Sequence, residues 1–378
     1  MPSINGAAMA RRDLMRRVGR LDQFAGVRLV TLGDGIERGV RVLEFRTGTG
    51  YQFDVLVDRS LDVGRCEFQG RSLAWLSPTG VVGPWYAEPM GLGWFRSWGG
   101  GMLVTCGLDH TLLGGTDDAS QFHQLIKPTE EYGLHGRIGF MPARLTGYGE
   151  RWDGDECVLW AEGVVRQAAV FGEAMELRRR IEARVGESRF TVHDEVVNVG
   201  FDPATHMYLY HVNVGWPVVD AGSDYLIPAP PGVPVAEYPT HDYRRLTSPN
   251  KAFPEECYEH AVAAEPAGTV PVAIVNRDLG LGAYQLYRKE QFPFHTMWRM
   301  LGEGIYGVAM EPTTNRDAGR FDARERGELG FLAPGESREY DLEIGVLDGQ
   351  AAIDSFEARV NALTAGAAGK GVGDKHHA

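Results

Sequence analysis

Short runs in which apolar and polar residues alternate dominate the chain, and long stretches at helical spacing are scarce. Between about residues 27 and 77, "VRVLEF", "YQFDVLVD", "GRCEF" and "RSLAWL" are separated by the turn-like "RTGTG", "RSLDV" and "QG". Such period-two runs bounded by Gly and polar residues predict strands. The pattern resumes in "ECVLWAEGVV", "AMELRRRIEARV", "RFTVHDEVVNVG" and "HMYLYHVNVG", and again in "VPVAIVN", "GAYQLYR", "GIYGVAM" and "SREYDLEIGVL". "AMELRRRIEARV" also suits a helix, being dense in charge and poor in β-branched residues, but its cleanly alternating neighbours favour a strand. Many short strands with frequent turns predict an all-β, antiparallel sandwich. Helices are expected near the ends, in "ARRDLMRRVG" and "AAIDSFEARVNALT". With no repeat and no linker, the reading is one sandwich domain over 26–348. A basic helical segment, 1–25, packs on it, and a helix over 349–365 and a disordered tail over 366–378 follow.

Composition narrows the function. A formal net charge of −13 leaves no basic stripe for nucleic acid. Cys66, Cys106, Cys157 and Cys257 are far apart and form neither a zinc knuckle nor a redox pair, so they are expected as buried thiols. No run approaches the roughly 18–20 apolar residues of a membrane span, and the basic N-terminus lacks a following apolar segment. A cytoplasmic location without membrane contact is therefore expected. There is no phosphate loop, no GxSxG elbow and no HExxH helix, which disfavours an ATP-dependent enzyme, an α/β-hydrolase or a zincin.

Against this background, five phrases put ionisable residues in apolar or glycine-rich surroundings: "DRSLDVG" (Arg59, Asp62), "TCGLDH" (Asp109, His110), "GLHGRIG" (His135, Arg137), "YHVNVG" (His211, Asn213) and "AMEPTTN" (Glu311, Asn315). Residues i and i+2 of a strand share a face, so His211 and Asn213 point together, and Glu311 points with Ala309 and Gly307. Small neighbours suggest open space around Glu311, and a carboxylate on a buried face needs hydrogen bonds, a proton or a wet cavity. A structural histidine and a surface glutamate are the competing readings. The stretch "GPWYAEPMGLGWFRSWGGG" sets Trp85, Tyr86, Trp94, Phe95 and Trp98 among Gly and Pro; indoles there suit either the C–H face of a sugar ring or a plug for the sandwich end.

Taken in order, "DRSLDVGRCEFQGRSLAWLSPTG", "GGGMLVTCGLDH", "LHGRIGFMPA", "YLYHVNVGWP" and "MEPTTN" resemble the aldose 1-epimerase (galactose mutarotase-like) superfamily, with the closer likeness to its bacterial branch described only as a domain of unknown function. The likeness runs from "RVGRLDQFAGVRL" to "LEIGVLDG". It implies a β-supersandwich whose concave sheet holds a sugar, with His211 as general acid, Glu311 as general base and His135 as a sugar-binding residue. The superfamily's "HPYFNLGG"-type phrase is replaced by "YHVNVGWP", and Arg59 and Arg137 are both candidates for its early arginine.

These residue types suit opening and reclosing of a hemiacetal, which needs no cofactor. Burial is expected to raise Glu311, and a nearby carboxylate to keep His211 protonated. The expected binding set is His135, Arg137, Asn213, Arg59, Asp109, His110, Trp98 and Arg299, any of the three arginines being able to pair with an acidic substituent. Two alternatives stand beside this: a metal-assisted isomerase, epimerase or lyase on a keto- or acidic sugar, and a non-catalytic carbohydrate-binding protein. No metal is expected; were one present, His110, His135, His211 and Glu311 are its ligand types. The expected partner is a small-molecule sugar, and the oligomeric state stays open, a homodimer being one option.

Overall fold

The computed structural model describes all residues except 1, 5, 123–127, 240–241 and 369–378. The alternating runs form three principal antiparallel sheets. In the largest, Arg144–Asp153, Glu156–Ala168, Ala174–Arg184 and Arg189–Asn198 pair in sequence order. Ser337–Asp348, Leu281–Arg288, Thr269–Asn276 and Asp224–Leu226 then extend it to eight strands. "AMELRRRIEARV" is a strand of this sheet: Met175, Leu177, Ile181 and Ala183 are buried and Arg178 is exposed. Its charges are therefore mostly the solvent face of an amphipathic strand, with Arg179 the inward exception.

A five-stranded sheet comes from the N-terminal part, Gly26–Thr31, Arg41–Arg46, Tyr51–Leu56, Asp62–Phe68 and Arg71–Ser72. The third sheet carries the polar phrases. Its strands are β1 (Val104–Leu108), β2 (Met207–Gly215), β3 (Glu256–His260), β4 (Phe294–Gly302) and β5 (Ile305–Thr313), in the order β3-β4-β5-β2-β1 with Val233–Pro234 outside β3. Alternation divides this sheet between two interiors. Tyr208, Tyr210 and Val212 of β2, Met297 and Leu301 of β4, and Val308 and Met310 of β5 enter a core shared with the other two sheets. Leu209, Trp298 and Ala309 face the other way, into a cluster with Trp75, Trp94 and Trp98. Each large apolar side chain so buried contributes about 1.5–3 kcal/mol.

The sheets are also joined by a buried charge network. Arg179 binds Asp194 at 2.8 and 2.7 Å, Asp62 at 2.9 Å, the Thr105 hydroxyl at 2.8 Å and the Tyr208 hydroxyl at 3.2 Å. Tyr208 and Tyr210 in turn donate to Asp194 at 2.7 and 2.5 Å. Each sheet supplies a member, so the network ties the layers together.

Among the described residues, the N-terminal helix α1 is only Arg11–Met15; α2 is Trp94–Ser97, α3 Gly319–Glu325 and α4 Gln350–Ala368. Helix α4 packs Ile353, Phe356 and Val360, one stripe at helical spacing, on Ala273, Val275 and Leu347. It passes the expected end at 365, and the rest of the expected tail lies outside the described residues. Among these residues no helix is long and apolar enough to cross a membrane.

Candidate functional site

Strand register assembles the centre of the site. Leu209 pairs with Thr313 and Val212 with Met310, which sets His211 of β2 beside Glu311 of β5. Glu311 pairs with Thr296 of β4, Thr296 with Glu259 of β3, and His211 with Val104 of β1. One row across five strands thus reads Glu259, Thr296, Glu311, His211, Val104. His211 Nε2 lies 3.2 Å from Glu311 Oε1, with side chains only 3% and 4% exposed. Among the described residues Glu311 Oε1 and His211 Nδ1 make no well-formed hydrogen bond.

Tryptophans wall the pair. The His211 ring is 5.0 Å from Trp98, 5.7 Å from Trp298 and 6.2 Å from Trp94, and Trp94 and Trp98 stack at 4.3 Å. Above the pair lies a cavity of about 210 Å³ lined by these indoles, His135, His211 and Glu311. The openness inferred from Gly307 is corrected: a Cβ there would sit 2.7 Å from Trp75, so the missing side chain makes room for an indole. Glu311 still reaches a cavity, but one shaped by tryptophans rather than left by small residues.

His135 enters from the "LHGRIG" loop. Its backbone is left-handed, φ 56°, a conformation that costs a non-glycine residue roughly 1–2 kcal/mol. The next residue must be Gly136, because a Cβ there would lie 2.5 Å from the Gly107 carbonyl and 2.6 Å from that of His110. The turn brings the His135 ring within 5.8 Å of His211 and 4.8 Å of Trp94. Leu112 N–H donates to His135 Nδ1 at 3.3 Å, which leaves the proton on Nε2.

Burial governs the electrostatics. The Glu311 carboxyl is held well above the usual carboxylate range by desolvation, reinforced by Asp317 and Glu255. His211 is pushed down to about 3 by desolvation, against Asn213, which acts in the opposite sense. The expectation of a protonated His211 is therefore reversed, because a protonated Glu311 supplies no negative charge to hold a proton on the imidazole. His135 is lowered as well, by burial first and then by His211 and His110. Asp317 is raised to about 6, mainly by burial and then by Glu259.

His135, His211, Glu311 and Trp98 converge on the cavity; the other expected binding residues do not. Asn213 donates to the carbonyls of Gly101 and His211, both at 2.9 Å, and braces β2. Arg59 is spent on the carbonyls of Gly139, Val82 and Ser97 at 2.7, 2.9 and 3.1 Å, which holds α2 in place. Arg137 pairs with Glu173, and with Asp109 these residues line a separate cavity of about 230 Å³. Asp109 accepts from Gln167 at 2.7 Å. His110 is fully buried, with its ring 5.3 Å from Tyr132, and burial pushes it down to about 4. Arg299 follows Trp298 in β4 and so faces away from the cavity, 3.2 Å from Glu256. Among the described residues, no three His, Cys, Asp or Glu side chains are grouped as metal ligands. The set His110, His135, His211 and Glu311 is thus not a ready metal site.

Sequence reasoning missed Glu255, Asp317, Trp75 and Trp298. Glu255 accepts from Trp298 Nε1 at 2.6 Å, and both line the cavity with Asp317. Trp298 had a signal, since it sits within a strand; Glu255 just precedes β3 and Asp317 lies in the turn before α3, where alternation says nothing. Of the four cysteines, Cys66, Cys106 and Cys157 are buried as expected, while Cys257 is half-buried and lines the cavity.

Comparisons with known proteins agree with this architecture. A Klebsiella pneumoniae protein provisionally described as an aldose 1-epimerase is 23% identical, with a TM-score of 0.78 over 91% of this chain and 90% of that one. A galactose mutarotase-like protein from Clostridium acetobutylicum is 12% identical, with a TM-score of 0.57 over 85% of this chain and 98% of its own. The Slr1438 protein from Synechocystis is 14% identical, with a TM-score of 0.60 over 80% and 94%. At these identities the likeness shows the fold, a galactose mutarotase-like β-supersandwich. No curated protein matches the chain. Residues 37–346 match the family described as "Domain of unknown function (DUF4432)", so the chain belongs to that family.

Proposed function

We propose that the protein interconverts the anomers of a sugar by acid–base catalysis at His211 and Glu311. One observation carries this reading: a histidine and a glutamate, both almost wholly buried, meet at 3.2 Å on the floor of a tryptophan-walled cavity. Ring opening requires one group to take the proton of the anomeric hydroxyl while another delivers a proton to the ring oxygen. Rotation about C1–C2 and reclosure reverse both transfers. The pair must therefore hold one proton in total.

Burial favours the neutral arrangement, with the proton on Glu311 and a free imidazole. In that form Glu311 protonates the ring oxygen and His211 takes the hydroxyl proton. Resemblance implied the opposite assignment; the two arrangements differ only in where one proton rests, and titration reports the pair. His135, protonated on Nε2, donates to a sugar hydroxyl, and the indoles cover the C–H face of the ring. Positioned acid–base groups contribute roughly 10²–10⁴-fold, which suits a reaction that already proceeds in water.

Magnetisation-transfer NMR over a panel of aldoses tests the reading. Faster exchange between α and β resonances of at least one sugar is the expected result. A sugar that binds in the cavity with no sugar in the panel exchanging faster would make the protein a carbohydrate-binding module.

A further inference from the structure

The cavity above His211 and Glu311 carries one sign of formal charge. Glu311, Glu255 and Asp317 line it, and among the described residues no Arg or Lys does. Among the described residues none of the three carboxylates is paired with a Lys or Arg side chain. Glu311 meets His211, Glu255 accepts from Trp298, and the Asp317 backbone N–H donates to Glu259 at 3.1 Å. The cation next in sequence, Arg316, is turned away, to Glu259 at 3.0 Å and Glu328 at 3.4 Å. Glu311 is buried, Asp317 half-buried and Glu255 exposed, whereas Asp194 and Glu256, both buried, each have a cation, Arg179 and Arg299. Crowding carboxylates without a cation in a partly buried space is costly. Three buried polar atoms of cavity-lining residues, Glu311 Oε1, His211 Nδ1 and Trp98 Nε1, also make no well-formed hydrogen bond among the described residues.

Carboxylates interleaved with indole faces recognise cations, through ion pairs at the acids and cation–π contact at the rings. We propose that the sugar bound here carries a protonated primary amine, seated between Glu255 and Asp317 with its ring against Trp94, Trp98 and Trp298. This rests on the proposed sugar site and names its substrate class. Phosphorylated, sulfonated and uronic sugars would meet the carboxylates of Glu255 and Asp317 and, among the described residues, no Lys or Arg counter-charge. An ammonium group beside Asp317 would lower a carboxyl that now titrates at about 6, so binding near that pH releases protons.

Calorimetric titration of the full chain separates this inference from the reaction. The ligands are 1-deoxy sugars with an amine at C2, C3 or C6, each compared with its hydroxyl parent at about pH 7; lacking an anomeric hydroxyl, they bind without turnover. At least one amino form is expected to bind about tenfold or more tightly than its parent, the scale of a charge-assisted contact. Asp317→Asn and Glu255→Gln should each shrink that ratio, and near pH 6 the heat should depend on the buffer's ionisation enthalpy. Equal binding, preference for the hydroxyl parents or no binding at all would overturn the inference. Anomer exchange without amine preference would leave the mutarotase reading standing alone; amine preference without exchange would do the reverse.

Discussion

At His211, burial outweighs the neighbouring carboxyl, and this sets the pH dependence. The imidazole is neutral down to about pH 3, while Glu311 keeps its proton above the usual carboxylate range. With one proton on the pair as the active state, activity falls on the acid side only when His211 gains a second proton. It falls on the alkaline side when Glu311 loses its own. The kcat/KM profile should therefore carry no acid limb from His211 near about pH 6.5, the ordinary histidine value. An acid limb centred there that persists in Asp317→Asn, which removes the cavity carboxyl raised to about 6, would show a histidine titrating normally and would contradict the arrangement. The i and i+2 rule correctly set His211 with Asn213 on one face. It could not reveal that Asn213 turns its amide to the carbonyls of Gly101 and His211 and leaves the cavity to others.

At the scale of elements, register matters more than composition. His211 and Glu311 are 100 positions apart in the sequence, and only the pairing of β2 with β5 makes them neighbours. Alternation also implied that Trp298 and Arg299 face opposite ways, but not which of them meets the cavity. The arginines at 59 and 137 lie in turns, where no period applies. Gly307 is where β5 admits Trp75, whose ring is 4.8 Å from Trp98 and 5.6 Å from Trp298. Gly307→Val should displace that indole and destabilise the fold by about 1–3 kcal/mol, the range for overpacking. Its denaturant midpoint and its rate of anomer exchange should both fall. An unchanged midpoint would mean that Trp75 has room the structure does not show.

Across the whole molecule, alternation and turn spacing made the antiparallel class legible, yet sheet membership was not. Ser337–Asp348 pairs with Arg189–Asn198, strands separated by well over a third of the sandwich. Nor could sequence single out Arg179 from the charged run around it as the cation that joins three sheets. Removing Asp194 leaves the buried guanidinium with Asp62 in place of two carboxylates, and two tyrosine hydroxyls without their acceptor. Asp194→Ala should therefore cost about 3–5 kcal/mol, read from chemical denaturation. A loss below about 1 kcal/mol, as for a surface pair, would show that the network is not what joins the layers. One continuous hydrophobic cluster reaches from Leu14 to Ile344, so the variant and the native chain should each unfold in a single transition.

The central claim is that His211 and Glu311 together move one proton on and off a bound sugar. The most direct measurement is anomer exchange by NMR for the native protein and for Glu311→Gln, with sugar affinity measured on the same samples. Glutamine keeps the shape of the side chain but cannot deliver or accept the proton. The exchange rate should fall by about 10²-fold or more with affinity little changed. Equal exchange rates in the two proteins, with sugar bound in both, would contradict the claim.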